Sequence, residues 1–278
     1  MKTELLCRGE IYPIQPCDRI CSNATIVEAW NKTILMYRIG RDKYGRMGAY
    51  TKIGISELTP DFKVTSAQLV SLCPQSLQED PRMIFYKDRL VVFFISDPGW
   101  SMWHTILNQD YKRVKSSLCY YGTTSEKNWV PFVLNDDLYI IYKHMPFTIL
   151  KLDKGWHQVH QSTPARLDLW RFGSISGGTP PVFRNGRFYS FFHSHNNPSN
   201  WPARIYSVGC CTFDRNFEVL GITKEPIMQG IPEENRIACV FPAGAICRDD
   251  KWIISYGFQD WRVKIATIDC EEIDRMLI

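Results

Sequence analysis

Short apolar and aromatic runs recur along the chain, each behind a compact polar turn. The runs fall at residues 33–37, 90–95, 138–142, 188–193 and 252–256. Just before them stand Trp30-Asn31-Lys32, Lys87-Asp88-Arg89, Asn135-Asp136-Asp137, Asn185-Gly186-Arg187 and Arg248-Asp249-Asp250-Lys251, most of them rich in residues that favour tight turns between strands. A marker residue precedes each turn: Ala24, Pro81, Pro131, Pro180 and Pro242. Marker, turn and run read as a hairpin, followed by a third strand such as 147–152 or 263–268. Five units of about fifty residues predict an all-β fold, a five-bladed β-propeller with blades near 23–70, 78–116, 127–162, 177–222 and 238–270. The whole of 1–278 is expected to form that single domain. Only a terminal turn at 271–277 looks helical, so under about a tenth of the residues should be helical.

Composition fits this reading. A chain of 278 residues with 45% hydrophobic and 13% aromatic content can bury a large core. Its net charge of +4, with no Lys/Arg run, gives no reason to expect a nucleic-acid partner. Residues 1–16 lack the apolar core of a secretion signal, and no stretch approaches ~18 apolar residues, so no membrane partner is expected and the chain is read as cytoplasmic. The ten cysteines then read as reduced, buried thiols. Cys7, Cys17 and Cys21 have neither a CxxC pair nor a nearby histidine, and neither a metal nor a cofactor is expected.

Candidate chemistry gathers around Gln78-Glu79-Asp80-Pro81-Arg82, just ahead of a strand that cannot bury charge cheaply. In a propeller the inner strand of every blade starts at the same end of the central channel, so residues ahead of those strands converge on one pocket. Asp80 can act there as a proton donor, or it can simply bond its own turn while Arg82 pairs with Glu79. Arg38, at a strand end in the first unit, can hold an oxyanion or vicinal hydroxyls, or it can bridge blades. The charged cluster at 41–46 reads as a solvated hairpin tip. Lys127 and Asn128 precede the third inner strand and would face the same mouth, unless Lys127 pairs with Glu126. In Gly177-Gly178-Thr179-Pro180 the glycines allow close backbone approach, and their N–H groups could cradle an anion. His193 and His195 share one side of a strand end, which suits a metal less well than hydrogen bonding to an oxyanion. Asp260 should lie on the face of Arg38 and could accept from two sugar hydroxyls, or cap its turn. The aromatic loop 98–104 could stack on a sugar ring or cap a blade.

Taken together, Asn23-Ala24-Thr25-Ile26 with Tyr37-Arg38, Glu79-Asp80-Pro81-Arg82, Glu126 to Phe132, Gly177-Gly178-Thr179-Pro180, Phe192-His193 and Tyr256-Gly257 with Asp260 resemble the β-mannoside phosphorylases of glycoside hydrolase family 130 and the related β-1,2-mannosyltransferases. The resemblance runs from about residue 23 to 268. It implies a five-bladed propeller with an inverting mechanism. The aspartate matching Asp80 is the general acid, passing its proton through a mannosyl hydroxyl to the glycosidic oxygen while phosphate attacks the anomeric carbon. By the same resemblance Arg38, Arg82, Lys127 and His193 are candidates to hold phosphate and Asp260 is a sugar ligand; Glu79, Asn128 and Thr179 are further candidates for substrate or phosphate binding. Ser176 departs from the pattern, standing where relatives often carry arginine. The implied partners are a mannose-containing oligosaccharide with inorganic phosphate, mannose 1-phosphate or nucleotide-activated mannose. A hydrolase of the same fold, or a non-catalytic glycan-binding propeller, are the alternatives.

Overall fold

A computed structural model describes residues 5–16, 20–41, 47–121, 126–196, 204–232 and 237–278. Five antiparallel sheets form a five-bladed β-propeller. The first blade is Ile20–Ala29, Lys32–Arg41, Met47–Leu58 and Val64–Val70. The second is Gln78–Tyr86, Arg89–Ser96, Ser101–Leu107 and Arg113–Leu118, and the third Val130–Leu134, Asp137–His144, Phe147–Leu152 and Trp156–Ser162. The fourth is built on Arg187–His195, Tyr206–Phe213 and Val219–Ile222, its inner strand split into Ser174–Ser176 and Val182–Arg184. The fifth comprises Val240–Arg248, Lys251–Phe258 and Arg262–Asp269.

All five inner hairpins turn in the same way. Trp30 and Asn31, Lys87 and Asp88, Asn135 and Asp136, Asn185 and Gly186, and Asp249 and Asp250 all have positive φ. Two consecutive left-handed residues make the type I′ turn, whose twist matches that of the strands it joins. The apolar runs beyond these turns are buried on both faces. Val91 and Phe93 face the third blade, where they meet Trp129 and Ile140, while Val92 and Phe94 face the first, beside Ile34 and Met36. Successive side chains of a strand point to opposite faces, so a continuous apolar run means blades on both sides. The same alternation at 188–192 and 252–254 links the third to the fourth blade, the fourth to the fifth, and the fifth back to the first.

Two features were not visible in the hydrophobic pattern. Most blades have an outer strand, and it is polar: 64–70, 113–118 and 156–162 are mostly exposed and carry no apolar signature. The second concerns the N-terminal segment, which closes the ring. Glu10–Ile14 pairs with Arg262–Asp269 as the outer strand of the fifth blade, and Leu5–Cys7 pairs with Met228–Gly230 at the edge of the fourth. The helices among the described residues are a 3-10 turn, Leu167–Leu169, and one α-helix, Cys270–Met276. Neither is long and apolar enough to cross a membrane.

Candidate active site

The site begins with matched irregularities in two inner strands. In the first blade Ser22 pairs with Arg38 and Thr25 with Met36, leaving Asn23 and Ala24 opposite one residue. In the second, Glu79 pairs with Ile95 and Arg82 with Phe93, leaving Asp80 and Pro81 in the same situation. Each is a β-bulge, and its first residue is left-handed, φ 51° at both Asn23 and Asp80. Proline suits the second position, where no ladder partner needs an N–H. The bulges turn both side chains into the channel, where Asn23 Nδ2 donates to Asp80 Oδ1 at 2.7 Å. A Cβ on Gly257 would strike the Asn23 side chain, so that glycine leaves room for the contact.

Arg38 ties the carboxylates together. Its Nη1 reaches Glu79 Oε2 at 3.4 Å and Asp80 Oδ1 at 3.2 Å, its Nη2 meets Asp260 Oδ1 in a short ion pair, and Nε and Nη2 donate to Ser22 Oγ at 3.3 and 3.1 Å. Side-chain exposure rises from Glu79 at 8% through Asp80 at 15% to Asp260 at 25%, which orders the three from floor to mouth. Burial alone would make Arg38 easier to deprotonate, but Asp80, Asp260 and Glu79 outweigh it and keep the guanidinium charged. Glu79 is pushed up to about 7, chiefly by burial; Arg38 opposes the shift, while Asp80 and Asp260 add to it. One cation therefore serves three carboxyl groups.

A cavity of about 220 Å³ opens above this cluster, and Arg38, Asp80, Lys127, Asn128, His193 and Asp260 all border it. Lys127 and Arg204 also line it and have no carboxylate partner among the described residues. Arg204 Nε is buried without a hydrogen-bond partner there. His193 is held well below the usual histidine range, mainly by burial and then by the charge of Arg82 and other neighbours. It is thus a neutral imidazole, wedged against Phe241 at 4.5 Å between ring centres, with Nδ1 unpartnered among the described residues. Ser176, His195, Tyr206 and Cys239 complete much of the wall.

Glu79, Arg82 and Thr179 are not in that wall. Arg82 is fully buried and extends away from Glu79: Nε donates to Gly178 O at 2.8 Å, Nη2 to Gly177 O at 2.9 Å and Asn128 Oδ1 at 3.1 Å, and Nη1 to Asp80 O at 3.2 Å. It bolts the second blade to the third and fourth. The glycine pair has a different task from cradling an anion, because its carbonyls face Arg82. A Cβ on Gly177 would strike Asn128 O, and one on Gly178 would strike Phe191 O, so both residues are needed for close backbone packing. Thr179 Oγ1 accepts from the Phe191 N–H at 3.1 Å. Glu126 accepts from Trp129 Nε1 and Tyr142 Oη. No cluster of three metal-ligating side chains occurs among the described residues. Cys17 and the cluster at 42–46 lie outside them.

Asn23, Arg204 and Tyr206 were not anticipated as site residues. Asn23 could have been, since it precedes Ala24 as Asp80 precedes Pro81. Arg204 sits in a polar connection without periodicity and has no such signal.

The profile of glycoside hydrolase family 130, described as β-1,4-mannooligosaccharide phosphorylase, matches residues 23–277. The chain belongs to this family. Family 130 enzymes are carbohydrate-active proteins that work on mannosides, which agrees with the resemblance carried by the motifs. No curated protein matches the chain. Among solved structures, the fold is similar to β-1,2-mannobiose phosphorylase from Listeria innocua in complex with β-1,2-mannobiose, at 15% identity and a TM-score of 0.69, over 93% of this chain and 92% of that one. It is similar to a family 130 structure from a study of hydrolases that target β-1,2-mannosidic linkages in Candida mannan, at 14% identity and a TM-score of 0.71, over 91% and 85%. A mannose phosphorylase from Leishmania mexicana, solved with a phosphate ion, aligns at 14% identity and a TM-score of 0.60, over 95% and 88%.

Proposed function

We propose that this family 130 member is an inverting β-mannoside phosphorylase with Asp80 as general acid. The observation that carries the reading is the division of one cavity: Asp80 and Asp260 on a single guanidinium at one end, with the more deeply buried Glu79 on the same cation, and in its wall Lys127 and Arg204, which have no carboxylate partner among the described residues. Asp80 Oδ1 is occupied by Asn23 and Arg38, which leaves Oδ2 to carry a proton toward the sugar. The proton passes through a mannosyl hydroxyl to the glycosidic oxygen as that bond breaks. Phosphate, held by Lys127, Arg204 and the neutral His193, attacks the anomeric carbon from the opposite face and inverts it. The proton brought in with hydrogen phosphate restores Asp80. Arg204 supplies a cation in the wall that Ser176 does not.

Hydrolysis fits less well. An inverting hydrolase needs a second carboxylate free to activate water across the ring. The other carboxylate bordering the cavity, Asp260, is drawn onto Arg38 beside Asp80, where it suits sugar hydroxyls. The test is incubation with β-linked mannobiose, with and without inorganic phosphate. Phosphate-dependent formation of α-mannose 1-phosphate is expected. Mannose release at equal rates in both samples would assign a hydrolase, and no turnover on either β-1,2 or β-1,4 mannosides would end the reading.

A further inference from the structure

The described cysteines are all free, and their environments differ. Cys73 faces Ser96 Oγ, Cys119 faces His104 Nδ1, and the neighbours Cys210 and Cys211 point into different interblade cores. Cys247 and Cys270 alone among the described residues have their sulfurs in contact, at 3.5 Å. Their meeting is fixed by backbone. Cys247 lies near the end of Val240–Arg248, just before the hairpin turn at Asp249 and Asp250. Cys270 opens the C-terminal helix, and its N–H donates to Asp250 O at 2.8 Å. Cys247 is partly exposed, whereas Cys270 is buried.

A reagent from solvent reaches the partly exposed partner, Cys247, first. Arg184 reaches across this corner to Asp250 Oδ1 and Asp274 Oδ2, both at 3.2 Å, and its charge lies close to both sulfurs. A nearby guanidinium is the usual setting of an oxidation-prone cysteine. Burial, and then the hydrogen bond to Cys247, push the Cys270 thiol up to about 12. Cys270 therefore keeps its proton and acts second.

We propose that Cys247 and Cys270 form a redox modification site, at which a peroxide converts the pair into a disulfide that staples the C-terminal helix to the fifth blade. Cys247 attacks one peroxide oxygen; an S–O bond forms, the O–O bond breaks, and water leaves. The Cys270 sulfur then attacks the sulfenic sulfur, the S–S bond forms, the S–O bond breaks, and the hydroxyl departs as water with the Cys270 proton. Two thiols lose two electrons in total, and one peroxide becomes two waters. The staple reinforces a helix already docked on the fourth blade by Arg187 and Tyr189, both bonded to Asp274. It sits by the inner-hairpin turn of its blade, whereas the catalytic cavity lies at the opposite, bulged end of the inner strands.

The test treats the intact protein with hydrogen peroxide, blocks remaining thiols with N-ethylmaleimide, and maps peptides by mass spectrometry with and without dithiothreitol. A dithiothreitol-sensitive peptide joining Cys247 to Cys270 is expected, with a thermal midpoint higher by roughly 5 °C. Cys247→Ser and Cys270→Ser should each abolish the cross-link and the rise. Mapping on the unaltered chain decides the matter even if a variant folds poorly. Equal alkylation of both cysteines before and after peroxide would overturn the proposal, as would Cys247 sulfinic acid beside an alkylated Cys270, or a bridge to any other cysteine.

Discussion

The two ends of the central channel are lined by the same five inner strands, yet they share almost no chemistry. At the turn end a cavity of about 420 Å³ is walled by Ile26, Met83, Phe132, Val182 and Ile246, on strands that run regularly into type I′ turns. At the other end Asn23 and Asp80 leave the ladder at left-handed bulges, and Asn128 and Asp260 are left-handed as well. Regular pairing sends side chains into interblade cores, where a charge is costly. A bulge breaks the alternation and turns a side chain into the channel. The propeller thus supplies uniform walls, and function depends on the few positions where uniformity is given up.

The hardest test of this contrast is Asp80→Asn, which keeps the bulge and the Asn23 and Arg38 contacts but removes the transferable proton. The kcat on a β-mannoside should fall ~10²–10⁴-fold with substrate KM little changed. Ile84→Val at the apolar end should cost about 1 kcal/mol of stability and leave kcat alone. Similar kinetics in the two variants would erase the distinction between the ends.

Arg82 lies between the two regimes and should behave as scaffold. Arg82→Leu would strand the carbonyls of Gly177 and Gly178 and the Asn128 amide oxygen in a buried site. A loss of about 3–5 kcal/mol in urea unfolding is expected. A variant of native stability with a raised phosphate KM would make Arg82 a ligand after all.

Glu79 sharpens the comparison through pH, because it is a charge-bearing group with the burial of a core residue. Its pKa stands at about 7 against an ordinary value of 4.5, so between those values the unfolded chain has released a proton that the folded chain still holds. The contribution is complete below the lower value and is lost as pH rises through the upper one. Glu79→Gln cannot ionise. Relative to the parent it should gain roughly 2–3 kcal/mol between pH 5 and pH 7.5, followed as unfolding midpoints across that range. A parallel pH dependence in the two proteins would show that Glu79 is already ionised in the folded state.

Much of this was readable from the chain, for identifiable reasons. Turn residues such as Asn185-Gly186 and double-faced apolar runs such as 90–95 state a local preference and a packing environment at once, so hairpins and inner strands follow from them. The polar outer strands obey neither rule, and Glu10–Ile14 joins the fifth blade by a pairing that spans nearly the whole sequence. At the site, convergence of Arg38, Asp80, Lys127, His193 and Asp260 followed from the repeat register. Direction within the register did not. Arg82 lies two residues beyond Asp80 yet points into a blade junction, because the bulge that exposes Asp80 restores the ladder at Arg82.

Lys127 and Arg204 offer the finest division, between two cations of one wall. Lys127 was legible because it precedes an inner strand; Arg204 precedes Tyr206–Phe213 in the fourth blade and was not. Lys127 is exposed, so water and salt weaken its hold on an anion, whereas Arg204 has a buried Nε, without a partner among the described residues, that an anion could satisfy. Charged hydrogen bonds of ~1.5–3 kcal/mol correspond to roughly 10–100-fold in affinity, with Lys127 at or below the lower limit. Arg204→Ala should therefore raise the phosphate KM more than Lys127→Ala, and only the Lys127 effect should shrink markedly between low and high ionic strength. Neither change should much alter the KM for the neutral mannoside. If both substrates lost affinity equally, these residues would be shaping the cavity rather than holding phosphate, and the charge division proposed for it would fail.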